Sequence, residues 1–293
     1  MMRVTQIMIN NQFMKNLHKN NRAVETLQGQ IASGKVFDKI SSNPGAALKS
    51  LSHKSDLAKL EQYQKNAQDG INWSLAMDDA LDDVTGVMQR VRELTVQGSN
   101  DSFSPTDRNS IAIEIRSLIN QAGTIANTRF GNGYLFSGTD IESQPFSNGA
   151  LQPVSQDGMK WQIGKGMHAE VKVSAGSVFG HTESGRDLFQ TITALAEKLE
   201  DGENPGNFLS EIDGHMDNVL AQRAVVGSSQ KLLEQASSRL DQAHFLTEKM
   251  LTELEGTDIA KAFTELSLQE SAIKASLSAG AKMMQLSLAD FLR

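Results

Sequence analysis

The chain has 293 residues and a formal net charge of -7, with 28 Lys and Arg against 35 Asp and Glu. That balance argues against a nucleic-acid backbone or an anionic membrane as the main partner, because either attracts a basic face. The absence of Cys excludes disulfides, thiolate zinc sites and a Cys nucleophile, and no apolar run approaches the ~18 residues of a membrane span.

Aromatic residues make up only 5% of the chain and there are five Pro, a composition suited to long helices packed side by side. The opening M-M-R-V-T-Q-I-M-I-N has no continuous apolar core and no small-residue cleavage site, so it is not a standard secretory signal. The expectation is either a cytoplasmic protein or one exported by a route that leaves no cleavable signal.

The first helical pattern places Phe13, Leu17, Val24, Leu27 and Ile31 at alternating spacings of four and three, with Asn20 in the gap. This is the narrow seam of a coiled coil rather than a broad globular face. It stops at Ser33-Gly34, where glycine suits a helix C-terminus. After the turn-forming I-S-S-N-P-G of Ile40 to Gly45, Pro44 opens a second helical tract reaching about Gln97. Breaks are expected near Gly70 and Gly86, and its clearest seam is Leu81, Val84, Met88, Val91 and Thr95. Ser104, Pro105 and Asp107 read as N-cap, first helical position and dipole-compensating acid of a third helix. Its seam is Ile111, Ile115, Leu118, Ala122 and Ile125.

From Gly131 the helical period gives way to alternation. Met159, Trp161 and Ile163 share one side of a predicted strand, and Ala169, Val171, Val173 and Ala175 share one side of another. Helix resumes with Leu188, Ile192, Leu195 and Leu199 and breaks at G-E-N-P-G. A 4-3 spacing then runs without Pro from Ile212 to Leu254, through Arg223, Gln230, Ser237, His244 and Thr247. At 1.5 Å per residue it predicts a helix roughly 60 Å long. Gly256-Thr257-Asp258 breaks and recaps the chain. The final helix carries the stripe Ile259, Phe263, Leu266, Ile273, Leu277, Met284, Leu288 and Phe291, with Glu270 and Gly280 in the gaps.

The expected fold is therefore mainly α with a β-rich insert, a long antiparallel helical rod whose terminal helices pair as a coiled coil. Three parts are expected: a terminal helical assembly domain of 1–43 with 256–293, a long-helix domain of 44–130 with 184–255, and a β-rich outer domain of 131–183. The stripe from Phe13 to Ile31 and the stripe from Ile259 to Phe291 are the candidate assembly interface. Short terminal helices gain most of their stability from tertiary packing, so this pair is expected to gain order when copies pack together.

Three stretches carry a resemblance. L-Q-G-Q-I-A-S-G-K at Leu27 to Lys35, with I-S-S-N-P-G-A-A at Ile40 to Ala47, resembles the N-terminal signature of flagellins and flagellin-like hook-associated proteins. N-T-R-F-G-N-G-Y-L-F-S-G-T at Asn127 to Thr139 is similar to the helix-to-β junction of the hook-associated protein 3 family. D-I-A-K-A-F-T-E-L at Asp258 to Leu266 and the later S-L-A-D-F-L resemble that family's C-terminal helix, and the family pattern begins at Met2. That family commonly carries an acidic pair before the proline, where this chain has Ser42 and Asn43; Asn43 can still support the turn.

The resemblance implies a flagellin-like fold and a ring of identical subunits at the junction between bacterial flagellar hook and filament. Paired terminal helices would line the inner tube, long helices would form the next shell, and the insert would lie outside. It also implies hook-associated protein 1 and flagellin as axial neighbours, an export chaperone, and unfolded export through the flagellar type III apparatus. Filament flagellin itself is the near alternative; a coiled-coil adhesin or signalling module would call for a membrane span or anchor.

No catalytic, cofactor or metal chemistry is expected. M-D-D-A-L-D-D-V places Asp78 and Asp82 four apart on one helix face but lacks a calcium-loop pattern. The S-x-x-K pairs Ser228/Lys231 and Ser271/Lys274 lack the companion motifs of penicillin-recognising enzymes. The six His form no H-E-x-x-H or comparable pair.

Overall fold

The computed structural model describes the backbone of residues 6–37, 41, 43–100, 102–181 and 185–291, and not the side chains of 6, 7, 9 and 283–291. The elements run α1 (Gln6–Ser33), α2 (Pro44–Gly98), α3 (Pro105–Ala126), β1 (Arg129–Phe130), β2 (Gly133–Tyr134), β3 (Phe146–Ser147), β4 (Ala150–Leu151), β5 (Met159–Gly164), β6 (Met167–Val171), α4 (Ala175–Phe179), α5 (Leu188–Glu200), α6 (Leu209–Glu255) and α7 (Ile259–Phe291). This is the long-helix fold with a strand-bearing insert that the sequence patterns predict.

The chain divides into two compact units, 60–243 and 1–59 with 244–293. The divisions fall inside α2 and α6, not at the turns near 43 and 256. A chain reversal marks where a helix ends; a compact unit is set by which side chains share a core.

The core of 60–243 is one continuous cluster. On α2 it takes Leu81, Val84, Met88 and Val91, and on α5 Leu188, Ile192, Leu195 and Leu199, all fully or almost fully buried. On α6, Ile212, Val219, Val226, Leu233 and Leu240 recur every seventh residue and are buried. The intervening seam positions Met216, Arg223, Gln230 and Ser237 are half-buried, the mark of a 3.5-residue period. The 131–183 segment feeds the same cluster through Phe136, Ile163, Ala169, Val171, Val173 and Phe179.

Local chemistry explains the element ends. Ser104 caps α3 in a reciprocal box with Asp107, with Pro105 just inside the helix. Asn43 Oδ1 accepts from the Ala46 N–H at the start of α2, so Asn43 does support the turn; Ile40 and Ser42 of that turn lie outside the described residues. The expected breaks at Gly70 and Gly86 do not occur, and α2 runs unbroken for 55 residues. A methyl on Gly70 would lie 3.0 Å from Leu233 Cδ1 and 3.1 Å from the Trp161 ring. Glycine there permits close packing at a helix-propensity cost of about 1 kcal/mol.

The strands β5 and β6 pair antiparallel, with Met159 opposite Val171 and Trp161 opposite Ala169. Burial alternates as the sequence predicts as far as Val173; it stops there, because Ser174, the N-cap of α4, is buried as well as Ala175. The hairpin is tied to the long helices by Asn66 Nδ2 donating to the Gln162 carbonyl at 2.8 Å and Ser229 Oγ donating to the Glu170 carbonyl at 3.3 Å. Two smaller hairpins, β1–β2 and β3–β4, each pair two residues a side.

Candidate assembly interface

The unit formed by 1–59 with 244–293 is built differently. Among its described residues the buried apolar side chains are Ala47 and Ala262 alone. Large apolar residues stand exposed instead: Met8 and Met14 on α1, Leu48 and Leu51 on α2, Phe245 and Met250 on α6, and Ile259, Phe263, Leu268 and Leu277 on α7. A side chain left in water forgoes about 1.5–3 kcal/mol of burial free energy, and single exposed residues are common. An exposed set of this size on a unit with almost no core is not.

Helices α1 and α7 pack against each other, antiparallel. Two fixed points set their register: Lys35 bridges to Gly256, and the Phe13 ring rests on Gly280. On α1 the half-buried line is Phe13, Leu17, Asn20, Val24, Leu27 and Ile31, the 4-3 seam read from the sequence. On α7 the covered line is Ala262, Leu266, Gln269, Ile273, Ser276 and Gly280, again at 4-3 spacing.

These lines are complementary in size. The register brings Phe13 level with Gly280, Leu17 with Ser276 and Ile31 with Ala262, three of the six layers, in which the larger side chain comes from α1. Gly280 is buried, and a Cβ there would lie 2.5 Å from Phe13 Cζ. Asn20 and Gln269 place polar groups within the seam, a device that favours one register over others.

Of the candidate residues on α7, Leu266 and Ile273 lie half-buried on the line facing α1. Ile259, Phe263 and Leu277 do not; they are 56%, 61% and 50% exposed. The side chains of Met284, Leu288 and Phe291 lie outside the described residues. Sequence reading passes over Ala262, Gln269 and Ser276, because small and polar residues give no hydrophobic signal; their spacing alone marks them.

A polar cluster sits beside this pair. Glu255, the last residue of α6, accepts hydrogen bonds from Ser50 Oγ and Lys54 Nζ on α2, with Lys35 Nζ at 3.7 Å. Burial pushes the Glu255 carboxyl up, but the Lys54 and Ser50 hydrogen bonds and the charges of Lys54 and Lys35 outweigh it and hold it below its ordinary value.

The other sequence candidates find structural partners. Arg223 Nε donates to Asp78 Oδ1 at 2.7 Å and its Nη2 to Asp78 Oδ2 at 3.2 Å, while Nη1 bonds Asp82. The acidic run is thus partly an anchor between α2 and α6. The Ser228 and Ser271 hydroxyls donate to helix carbonyls of Val225 and Ser267. No group of three His, Asp or Glu among the described residues is placed to hold a metal ion, and none of the described helices is long and apolar enough to cross a membrane.

Long helices, a terminal helix pair and exposed apolar side chains characterise a structural protein. Family comparison places it: the bacterial flagellin N-terminal helical region matches residues 4–140 and the bacterial flagellin C-terminal helical region matches 209–292. The chain belongs to the bacterial flagellin family and is a structural component of the bacterial flagellum. It is 26% identical over 236 residues to the flagellar filament 31.3 kDa core protein of Treponema maltophilum, covering 79% of this chain and 78% of that one. Its fold is similar to that of a Vibrio parahaemolyticus protein assigned as a flagellar hook-associated protein, with a TM-score of 0.68 and 20% identity, covering 73% of this chain and 100% of that one. Flagellar hook-associated protein 3 of Legionella pneumophila matches with a TM-score of 0.62 and 16% identity, over 69% of this chain and 98% of that one.

Proposed function

We propose that the protein is the flagellar junction subunit, a ring-forming structural protein between hook and filament. The observation that carries the assembly role is the contrast within one chain: 60–243 has a closed core, whereas the described residues of 1–59 with 244–293 include two buried alanines and a dozen exposed large apolar side chains. In this reading Phe13, Leu17, Val24, Leu27, Ile31, Leu266 and Ile273 hold the terminal helices together. Ile259, Phe263 and Leu277, continued toward Met284, Leu288 and Phe291, meet neighbouring copies. The axial neighbours are hook-associated protein 1 and flagellin, and delivery is by an export chaperone and the flagellar type III apparatus.

Two things favour the junction over the filament. The Asn127 to Thr139 stretch resembles the junction-family form, and the fold matches hook-associated proteins along almost their whole length. Filament flagellin is the second reading, supported by the Treponema filament relative. A cell lacking the protein separates them. The junction reading expects intact hooks with filament protein secreted unattached; normal attached filaments overturn it. Polymerisation seeded with filament fragments should yield no long filaments from this chain, and long filaments would favour the second reading.

A further inference from the structure

We propose that Glu255 is the positioning residue that sets the α1–α7 pair on the ends of α2 and α6, one carboxylate clamping three chain segments at the root of the assembly surface. This rests on reading 1–59 with 244–293 as the assembly unit.

Three segments converge on this residue. Ser50 and Lys54 lie four apart on α2, on one face, and both donate to the carboxylate. Lys35 reaches it from the segment that follows α1. The backbone around Glu255 is itself shared: the Val36 N–H donates to the Glu255 carbonyl at 2.7 Å, and the Thr257 N–H donates to the Gly34 carbonyl at 3.0 Å. The end of α1 and the turn between α6 and α7 are thereby stitched together.

Both stitched turns depend on glycine. Gly34 has φ +70, and a Cβ on Gly256 would lie 2.5 Å from the Thr252 carbonyl oxygen. Among its described residues the unit buries only Ala47 and Ala262 as apolar side chains, so directional bonds take the role of fixing the angle of the terminal pair. Glu255 is 9% exposed, and acids are seldom this buried unless paired. Exposed ion pairs contribute little; a buried carboxylate that loses its partner is left uncompensated.

The test is amide hydrogen exchange of the full chain at Val36 and Thr257, corrected for intrinsic rates, in wild type, Glu255→Gln, Lys54→Met and Lys54→Arg. Glu255→Gln and Lys54→Met should each lose about ten-fold or more in protection at both amides. Lys54→Arg should retain most of it, and melting of 60–243 should not move. The carboxyl sits below its ordinary value, so its contribution is present above the unfolded pKa and is lost as pH falls through the folded one. Wild-type protection should therefore step down below about pH 4.3, and Glu255→Gln should show no such step. Unchanged protection in both Glu255→Gln and Lys54→Met, or the same acid step in Glu255→Gln, overturns the proposal. In cells, Glu255→Gln should reduce filament attachment. Failure of the wild-type chain to restore filaments to a cell lacking it would instead refute the junction reading, leaving the exchange result to be judged separately.

Discussion

The Phe13 ring lies directly against Gly280, two residues 267 positions apart that come from opposite ends of the described chain. A methyl at 280 would meet Cζ at 2.5 Å, Cε2 at 2.9 Å and Cε1 at 3.0 Å. The aromatic group occupies the space that the missing side chain leaves.

Gly280→Ala therefore sets two effects against each other. Helix propensity gains about 1 kcal/mol, while an overpacked contact costs roughly 1–3 kcal/mol. The net expectation is a weaker α1–α7 pair, because the clash is with ring carbons on both sides of Cζ. Exchange protection along α1 should fall, and Gly280→Ala combined with Phe13→Val should recover it. The coupling between the two sites should be about 0.5–3 kcal/mol in a double-mutant cycle. Additive effects would mean that the ring does not need the glycine.

Phe263 and Leu277 bear on a different question, since neither faces α1. Replacing both with Ser should leave helical content and the melting of 60–243 unchanged, because exposed substitutions usually stay within about 0.5 kcal/mol. Filament attachment should be lost. Retained attachment would remove this stripe from the contacts between copies.

Arg223→Ala tests the anchor between α2 and α6. It removes the two-oxygen pairing to Asp78 and the bond to Asp82, and it leaves two like charges four residues apart on α2. The expected loss is about 1 kcal/mol in urea denaturation, shrinking as salt is raised. A loss that is independent of salt would mean that Arg223 acts through packing.

His215 gives 60–243 an acid sensitivity. It is fully buried; its Nε2 lies 3.1 Å from Thr191 Oγ1, and its Nδ1 has no hydrogen-bond partner among the described residues. Burial lowers its pKa, against the opposing influence of Asp187 and Glu211, the latter 3.6 Å from Arg186. The unfolded chain then binds a proton before the folded one does. Stability is full above about pH 6.5 and falls as pH drops below it. Thermal melting between pH 7 and pH 5 should show the loss, and His215→Gln should flatten it. An equal slope in the variant would assign the effect to other groups.

The long seams were legible because period alone defines them. The heptad line on α6 from Ile212 to Leu240, the half-buried line on α1 and the capping box at Ser104 can each be read from spacing and residue type. The inner line of α7 was legible only at Leu266 and Ile273, for a specific reason. Its sequence holds two overlapping stripes, and the greasier one, with Ile259, Phe263 and Leu277, faces away from α1. Hydrophobicity ranks stripes by burial free energy and carries no information on whose surface covers them. Gly70 misled in the opposite sense, since a residue that weakens a helix in isolation here lets Leu233 and Trp161 approach. Glu255 gave no signal, because its partners Ser50, Lys54 and Lys35 are brought together only by the fold.

The uneven burial along this one polypeptide has a thermodynamic consequence. Residues 60–243 carry their stabilising contacts within themselves, so their folding answers to temperature, pH and denaturant at any dilution. In the proposed assembly role, the exposed apolar side chains among the described residues of 1–59 with 244–293 leave water against neighbouring copies, and mass action then enters the stability of that unit directly. A melting curve of the whole chain would hold one transition fixed and one that climbs with protein concentration. In that role, the number of copies nearby is as much a determinant of this unit's structure as the amino-acid sequence.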